Sequence, residues 1–297
     1  MADLAGIVEG LEGRFGPLAR PPVPLEGGIT NRNYRVRLGE GDYVLRLPGK
    51  DTSLLGISRE AERLANQTAA RLGIAPAVRA AEERAILTEF MLCEPLNPDR
   101  LRAEPGQVAA ALRAFHDCGV QLPARFWVPE LLEQYAAIVA ERGGSLPPAY
   151  ADARLLADEI AQALPLREPV PSHNDLLPGN LIALTDGRVM LVDWEYAGMG
   201  HRLFDLGNLA VNNEFDEAAE ERLLAAYFGA APDTGRRAAL KLMRIMSDAR
   251  EAGWGVVQGV ISELDFDFAA YATQHFERLT AAASDPRFQE WLGAASA

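Results

Sequence analysis

Residue types that commonly build metal or redox sites are scarce in this chain. The two cysteines among its 297 residues, Cys93 and Cys118, form no CxxC pair, so the sequence predicts neither a structural zinc site nor a disulfide scaffold. The four histidines show no metal-ligand spacing of the HExxH kind. Lysine occurs only at Lys50 and Lys241, which leaves arginine as the cation for most sites that need one.

Long apolar runs are also missing from the sequence. No stretch reaches the roughly 20 apolar residues that cross a bilayer. The first ten residues lack the positively charged start and apolar core of a secretory signal peptide. From these features we expect no membrane span, reduced cysteines and a cytoplasmic location.

Negative charge dominates the composition. The chain has 42 Asp and Glu against 29 Lys and Arg, for a formal net charge of −13 at pH 7. A field of this sign repels the phosphate backbone, so we expect no nucleic acid partner. The apolar fraction of 48% and the charged fraction of 24% are ordinary for a globular protein, and the length fits one large domain or two lobes.

Hydrophobic periodicity divides the chain into a front part rich in strands and a rear part rich in helices. Front-part helices are predicted at 2–15 and 58–72, with Ser58 as N-cap and Gly73 after the last turn. Prolines between 17 and 24 predict a break. Strands are predicted at 34–38 and 43–47, joined as a hairpin by a four-residue loop, and at 77–79 and 85–90.

The rear part carries the longer helical patterns. These lie at 104–118, 129–141, 148–164, 215–228, 233–254 and 265–283. We therefore expect an α+β protein with two lobes. The first lobe, 1–92, holds a small antiparallel sheet and one main helix, and the second, 93–297, is larger and helical.

The segment around residues 172–182 carries most of the candidate chemistry. Asp175 lies in a turn rich in helix breakers, Asn180 follows five positions later, and Asp193 ends an apolar β-run. Hard oxygen ligands of this kind bind Mg²⁺, which neutralises charge on nucleotide phosphates. A further carboxylate positions an attacking hydroxyl and accepts its proton. The pattern predicts phosphoryl transfer, with Asp175 as base and Asn180 and Asp193 as Mg²⁺ ligands.

These residues also carry a family resemblance. The stretch 173–180 together with 193–196 resembles the phosphotransferase motif of aminoglycoside phosphotransferases and choline/ethanolamine kinases. The runs DWEYA and FDLGN, and WGVVQ further on, are similar to the choline kinase branch. This resemblance spans about residues 27–276 and implies the two-lobed protein-kinase-like fold. It also implies that His173 braces the catalytic loop and that Asp205 stabilises it.

In the front lobe the resemblance implies an ATP site. The Gly-rich turn at 27–31 resembles the loop that covers the phosphates, and 89–92 resembles the hinge whose backbone meets adenine. Arg46 stands where kinases place the cation that grips the phosphates, and either Glu62 or Glu60 would be its ion-pair partner. The expected nucleotide-binding residues are Gly28, Thr30, Asn31, Arg46, Glu62, Glu89 and Met91.

In the rear lobe the resemblance implies a pocket for a small cationic alcohol, held by aromatic faces and carboxylates. Asn212 stands where the family often has an acid, and Glu251 stands where animal choline kinases tend to have a second tryptophan. A carboxylate at 251 would suit a primary ammonium, which donates hydrogen bonds, better than quaternary choline. The expected pocket residues are Glu195, Asn212, Glu214, Glu251, Trp254, Phe266 and Tyr271.

The sequence thus predicts an ATP- and Mg²⁺-dependent kinase that phosphorylates the hydroxyl of a choline- or ethanolamine-type amino alcohol. The alternative is a thiamine or aminoglycoside phosphotransferase of the same fold. A non-catalytic pseudokinase is a third reading, but such proteins usually lose the base or a metal ligand, and here all three residues are present. Family members can form homodimers, and nothing in the sequence marks such an interface.

Overall fold

The front part of the chain forms a five-stranded antiparallel sheet with strand order β1-β2-β3-β5-β4. The structure is a computed structural model that describes residues 4–25, 31–50, 52–82 and 84–296. The strands are β1 (Leu18–Leu25), β2 (Arg32–Leu38), β3 (Gly41–Leu47), β4 (Val78–Glu82) and β5 (Ala85–Glu89). The predicted hairpin of β2 and β3 is confirmed, with the two-residue turn Gly39-Glu40 in place of a four-residue loop.

The first helix, α1 (Leu4–Phe15), ends before the prolines between 17 and 24, as expected, but the segment that follows forms strand β1, which was not predicted. β1 is an edge strand that pairs with β2 alone within the sheet, and its register shifts twice. Proline lacks a backbone donor, and an edge strand has one side that needs none. The prolines are therefore compatible with a strand in this position.

Alternation along β3 sends its side chains to two opposite faces. Leu45 and Leu47 are fully buried in a small apolar core against helix α1 (Leu4–Phe15). Val44 and Arg46 face the other side and line a cavity. The period of two thus places Arg46 in the cleft.

Helix α2 (Arg59–Arg71) begins and ends as predicted. The Ser58 hydroxyl oxygen accepts a hydrogen bond from the Ala61 backbone N–H at 3.3 Å, and Gly73 follows the helix with φ of +73°. Its buried face is built from alanines that join the large core of the rear part. α2 therefore anchors the front part to the rear part.

The rear part is mainly helical, as expected. Its helices are α3 (Pro98–Ala103), α4 (Gly106–His116), α5 (Val128–Glu141), α6 (Ala149–Ala163), α7 (Arg202–Asn212), α8 (Glu217–Phe228), α9 (Thr234–Ile261), α10 (Phe268–Ala283) and α11 (Phe288–Ala295). Two small sheets accompany them, β6-β8-β9 and β7-β10, built from β6 (Cys93–Pro95), β7 (Val170–Ser172), β8 (Leu181–Leu184), β9 (Val189–Leu191) and β10 (Gly198–Gly200). The α+β class is confirmed, and the boundary at residue 93 stays a prediction.

Three helices, α3, α7 and α11, were not predicted, and α9 extends seven residues beyond the predicted 254. α7 contains Gly207, which disfavours an isolated helix. A Cβ at position 207 would lie 2.6 Å from the backbone carbonyl carbon of Met243, so glycine is needed for α7 to approach α9. Packing in the core therefore stabilises α7. Within the described residues, no helix is long and apolar enough to cross a membrane.

Candidate active site

A cavity of about 950 Å³ lies between the front sheet and the rear helices. Its walls come from β3 and β5, from the segments that follow β7 and β9, and from α9 and α10. The predicted site residues that line it are Arg46, Met91, Asp175, Asn180, Asp193, Glu195, Asn212, Glu214, Glu251, Trp254 and Tyr271. The fold thus brings together residues that are more than 200 positions apart in sequence.

Gly28 and Thr30 fall outside the described residues. Among the described ones, Glu89 and Phe266 are not part of the cavity wall. The Glu89 carboxylate pairs with Arg79 at 2.7 Å and is partly exposed, whereas the side chains after it in the predicted hinge line the cavity. Phe266 is 42% exposed and lies beside Tyr271, with 6.0 Å between ring centroids. Phe266 therefore contacts a wall residue without forming the wall.

The catalytic loop is held from behind by a buried carboxylate at the start of α7. Asp205 accepts hydrogen bonds from the backbone N–H groups of His173 at 2.8 Å and Asn174 at 2.7 Å. Asn174 has φ of 68°, in the left-handed region. Burial alone would raise the pKa of Asp205, but the hydrogen bond from His116 and the nearby loop groups hold it below the ordinary value. Asp205 therefore stabilises the loop as a carboxylate.

His173 is fully buried and bridges the catalytic loop to the segment after β9. Its Nε2 donates to the Val192 carbonyl at 3.0 Å, and its Nδ1 accepts from the Asp175 backbone N–H at 3.3 Å. Burial is the largest influence on His173 and lowers its pKa. Both contacts suit a neutral ring protonated at Nε2, so this histidine braces the loop by hydrogen bonding.

Helix α7 supplies a second residue that supports the catalytic loop, Asn208, which was not among the predicted site residues. Asn208 accepts a hydrogen bond from the Leu176 backbone N–H and donates one to the Ser247 hydroxyl at 2.9 Å. His116 on α4 adds a further contact, since its Nε2 lies 2.9 Å from the Asp205 carboxylate. Asn208 lies within the FDLGN run, whereas the role of His116 has no local sequence signal, because it depends on contact between distant helices.

Asp175 is buried at the centre of the site, and both of its carboxylate oxygens have partners. Oδ2 accepts from the Asn180 side-chain N–H at 3.0 Å, and Oδ1 lies 3.3 Å from Arg250 Nη1. Burial raises the pKa of Asp175 well above its ordinary value, and the positive charge of Arg250 opposes this. Because the Asn180 amide nitrogen is engaged, the amide oxygen is the atom left for a ligand.

Arg46 reaches from β3 into a group of carboxylates. Its Nε lies 3.1 Å from Glu62 Oε1, its Nη2 contacts Asp193 Oδ1, and Glu195 is 3.6 Å away. Burial would lower the pKa of Arg46, but these carboxylates raise it above the ordinary value. The ion-pair partner on α2 is therefore Glu62, and Glu60 is exposed.

Glu195, which was predicted for the acceptor pocket, lines the cavity beside Arg46 and Arg59. It accepts a hydrogen bond from the Asn31 side-chain N–H at 2.7 Å and is 3.7 Å from Arg59. Arg59 also pairs with Glu62 at 2.6 Å. Arg59 was not predicted. It lies three positions before Glu62, the expected acidic partner of Arg46, and it belongs to no motif of its own.

Glu251 lines the cavity as part of a buried ion pair. The residue is 1% exposed. Oε1 accepts from Arg250 Nη1 at 2.7 Å, and Oε2 accepts from the Tyr271 hydroxyl at 2.8 Å. Both carboxylate oxygens therefore already have a partner within the chain, and the charge of Glu251 is offset by Arg250.

The aromatic wall is built from the predicted Trp254 and Tyr271 and from the unpredicted Tyr196. The Trp254 indole donates to the Tyr196 hydroxyl at 2.7 Å, and the Trp254 and Tyr271 rings lie 5.5 Å apart. Asn212 and Glu214 line the same end. The Asn212 amide oxygen accepts a hydrogen bond from Arg278 at 3.1 Å. The spacing of 17 residues between Trp254 and Tyr271 is bridged by the return of α10 along α9.

Comparisons with known proteins agree with this geometry. The profile of the family described as "Phosphotransferase enzyme family" matches residues 22–240. LicA of Haemophilus influenzae is 28% identical over 219 residues, which are 69% of this chain and 62%, under two thirds, of LicA. Ethanolamine kinase 2 of Rattus norvegicus is 29% identical over 285 residues, covering 84% of this chain and 73% of that kinase.

A similar fold has been solved by crystallography. The choline/ethanolamine kinase family protein from Mesorhizobium loti superimposes with a TM-score of 0.82 and 28% identity, covering 99% of both chains. The expected kinase-like fold is thereby confirmed. The matched profile spans most of the chain, including the catalytic loop and both candidate metal ligands. This protein therefore belongs to the phosphotransferase enzyme family and is a small-molecule kinase.

Proposed function

We propose that this kinase transfers the γ-phosphate of ATP to the hydroxyl of a small amino alcohol of the choline or ethanolamine type. The observation that carries the proposal is that Asp175, Asn180 and Asp193 line one cavity together with Arg46. A base, two hard oxygen ligands and a cation are the set that phosphoryl transfer from a nucleotide requires.

The nucleotide would occupy the front end of the cavity. Val44, Ile86 and the side chains after β5 give this end apolar walls suited to an adenine ring. Arg46, fixed by Glu62, would bind the phosphate oxygens. These contacts would orient the triphosphate with its terminal phosphate toward Asp175.

Asn180 and Asp193 fit a magnesium ion, since they offer an amide oxygen and a carboxylate. Mg²⁺ supplies charge neutralisation on the phosphates when it is bound. Across the residues that the structure describes, no cluster of three or more His, Cys, Asp or Glu side chains forms a metal site alone. This fits an ion whose remaining ligands come from the nucleotide and water.

Asp175 would perform the proton transfer. Its carboxylate accepts a hydrogen bond from the substrate hydroxyl and takes the proton as that oxygen bonds to the γ-phosphorus. The bond between the γ-phosphorus and the bridging oxygen breaks, and ADP leaves with its electron pair. Asn180 keeps the carboxylate oriented through the 3.0 Å hydrogen bond to Oδ2.

Two observations support an amino alcohol as the acceptor. The rat relative is named as an ethanolamine kinase, and the similar crystal structure is named for the choline/ethanolamine kinase family. The net charge of −13 also favours the approach of a cationic substrate. The cytoplasmic location stays a prediction.

The test is an ADP-release assay with ATP and Mg²⁺ across choline, ethanolamine, thiamine and kanamycin. We expect turnover with an amine alcohol and little with kanamycin. Turnover restricted to thiamine or kanamycin would replace the proposed acceptor. Release of ADP that does not depend on any of the four would contradict the proposal.

A further inference from the structure

A buried arginine lies where the acceptor pocket meets the catalytic carboxylate. Arg250 is 1% exposed, and its Nη1 lies 2.7 Å from Glu251 and 3.3 Å from Asp175. Its guanidinium carbon lies 4.1 Å from the centroid of the Tyr196 ring. Two carboxylates and one aromatic face therefore surround this guanidinium.

These are the contacts that a bound organic cation would seek. An aromatic face within about 6 Å and adjacent carboxylates are the usual partners of an ammonium group. The Nε and Nη2 atoms of Arg250 are buried and have no hydrogen-bond partner in the described part of the chain. The guanidinium carbon lies over the Tyr196 ring, so one face of that ring is covered by the chain's own cation.

The pair of Arg250 and Glu251 is neutral as a unit, because each buried charge is offset by the other. Each oxygen of Glu251 already accepts a hydrogen bond, one from Arg250 and one from Tyr271. An incoming quaternary ammonium would find the Tyr196 face covered by Arg250 and the charge of Glu251 offset by the same guanidinium. The fixed guanidinium also repels a second cation placed beside Asp175.

Hydrogen-bond acceptors from other residues also line the cavity. The exposed Glu214 carboxylate lines the cavity, as do the side chains of Gln274 and His275. A primary ammonium can donate up to three hydrogen bonds to such groups. A quaternary ammonium can donate none, so the remaining wall favours the unmethylated amine.

We propose that the Arg250–Glu251 pair selects the acceptor: it takes the place of a bound cation beside Asp175 and restricts the kinase to amino alcohols whose nitrogen is not quaternary. This inference rests on the proposed function. It names the acceptor class of the same site.

The test uses the purified full chain and four acceptors that differ by one methyl group each: ethanolamine, its N-methyl and N,N-dimethyl derivatives, and choline. With ATP and Mg²⁺ held saturating, we expect kcat/KM to fall along this series, by about tenfold or more in total. Choline used as well as ethanolamine would overturn the inference alone. No turnover with any of the four would refute the proposed function and the inference with it.

The double variant Arg250→Met/Glu251→Gln removes both charges with little change in volume. We expect the ratio of kcat/KM for choline to that for ethanolamine to rise about tenfold, because the Tyr196 face becomes available. The matched control is Arg237→Gln/Glu221→Gln, which removes an exposed ion pair that includes another arginine of α9. It should leave the ratio unchanged.

A purely structural role predicts a different result for the double variant. Loss of packing would lower kcat/KM for all four acceptors equally and leave their ratio constant, and that outcome would overturn the inference. Thermal melting of both variants shows whether they fold. The methylation series with the unmodified protein tests the selectivity even where the double variant does not fold.

Discussion

The two ends of the cavity each hold a buried arginine between carboxylates, and the two arginines differ in their access to a ligand. The Arg46 side chain retains 13% exposure and lines the nucleotide end. The Arg250 side chain retains 2%, with its partners at Glu251, Asp175 and Tyr196. The comparison teaches that two similar ion pairs suit different roles: we propose that Arg46 binds the nucleotide phosphates and that Arg250 takes the place of a bound cation.

The burial of each arginine explains why it is paired. Removing a charge from water is costly unless a partner of opposite charge is close, and breaking such a pair leaves the other charge buried. Arg46 can exchange a carboxylate partner for a phosphate oxygen at the cavity surface. Arg250 also lines the cavity, but its side chain is almost fully buried and lies between two carboxylates and the Tyr196 ring.

The largest expected loss of activity comes from changing Asp175, where the two ends of the cavity meet. Asp175→Asn keeps the shape and removes the base, so kcat should fall by about 10²–10⁴-fold. Nucleotide affinity, measured by calorimetry, should change little. Asp186→Asn, in an exposed turn where Asp186 pairs with Arg188, is the control and should retain full activity. More than a tenth of the activity left in Asp175→Asn would contradict the assignment of the base.

The second prediction isolates the nucleotide end. Arg46→Met removes the cation proposed for the phosphates, and charge-assisted bonds of this kind correspond to about 10–100-fold in kcat/KM for ATP. The KM for the amine alcohol should stay nearly constant in steady-state assays. Arg37→Met on the neighbouring strand β2, where Arg37 pairs with Asp42, should leave both constants unchanged. A rise in the KM for the acceptor alone would contradict the assignment of Arg46 to the nucleotide end of the cavity.

The third prediction isolates the acceptor end. Trp254→Phe keeps an aromatic ring and removes the N–H that donates to Tyr196. We expect the acceptor KM to rise by about 2–10-fold, the value of one neutral hydrogen bond, with the KM for ATP unchanged. Trp291→Phe on α11, where Trp291 lies against Arg287, is the control. An effect of Trp254→Phe on ATP alone would contradict the division of the cavity.

The smallest effect is expected at Phe266, which the sequence placed in the acceptor pocket. Its ring is exposed and lies outside the cavity wall, so Phe266→Ala should change the acceptor KM by less than about twofold. A fivefold or larger rise in KM would show that Phe266 closes over the acceptor.

Residues close together in sequence were the most predictable part of the site. Asp175 and Asn180 share one loop, and the alternation of β3 sends Arg46 to the cleft face. The placement of these residues depends on a few neighbours in the chain, so the local sequence pattern is enough to predict it. The Ser58 cap and the β2–β3 hairpin were predictable for the same reason.

The missed features depend on contacts between distant segments. Nothing local distinguishes a buried Arg250 from a solvated arginine on a long helix, and its partners come from other elements as well as from its own. Glu251 was taken as an open carboxylate because adjacent positions on a helix do not normally face each other, so its ion pair with Arg250 was not expected. Likewise, α7 was missed because glycine at position 207 disfavours a helix by its intrinsic propensity. The same glycine permits close packing of α7 on α9, and this packing stabilises the helix.

The most direct test of the central claim is ³¹P NMR of the products formed from ATP, Mg²⁺ and ethanolamine. We predict stoichiometric appearance of ADP and a phosphomonoester of the amino alcohol, and loss of both with Asp175→Asn. ADP accompanied by inorganic phosphate alone, or a phosphomonoester formed equally well by Asp175→Asn, would contradict the account.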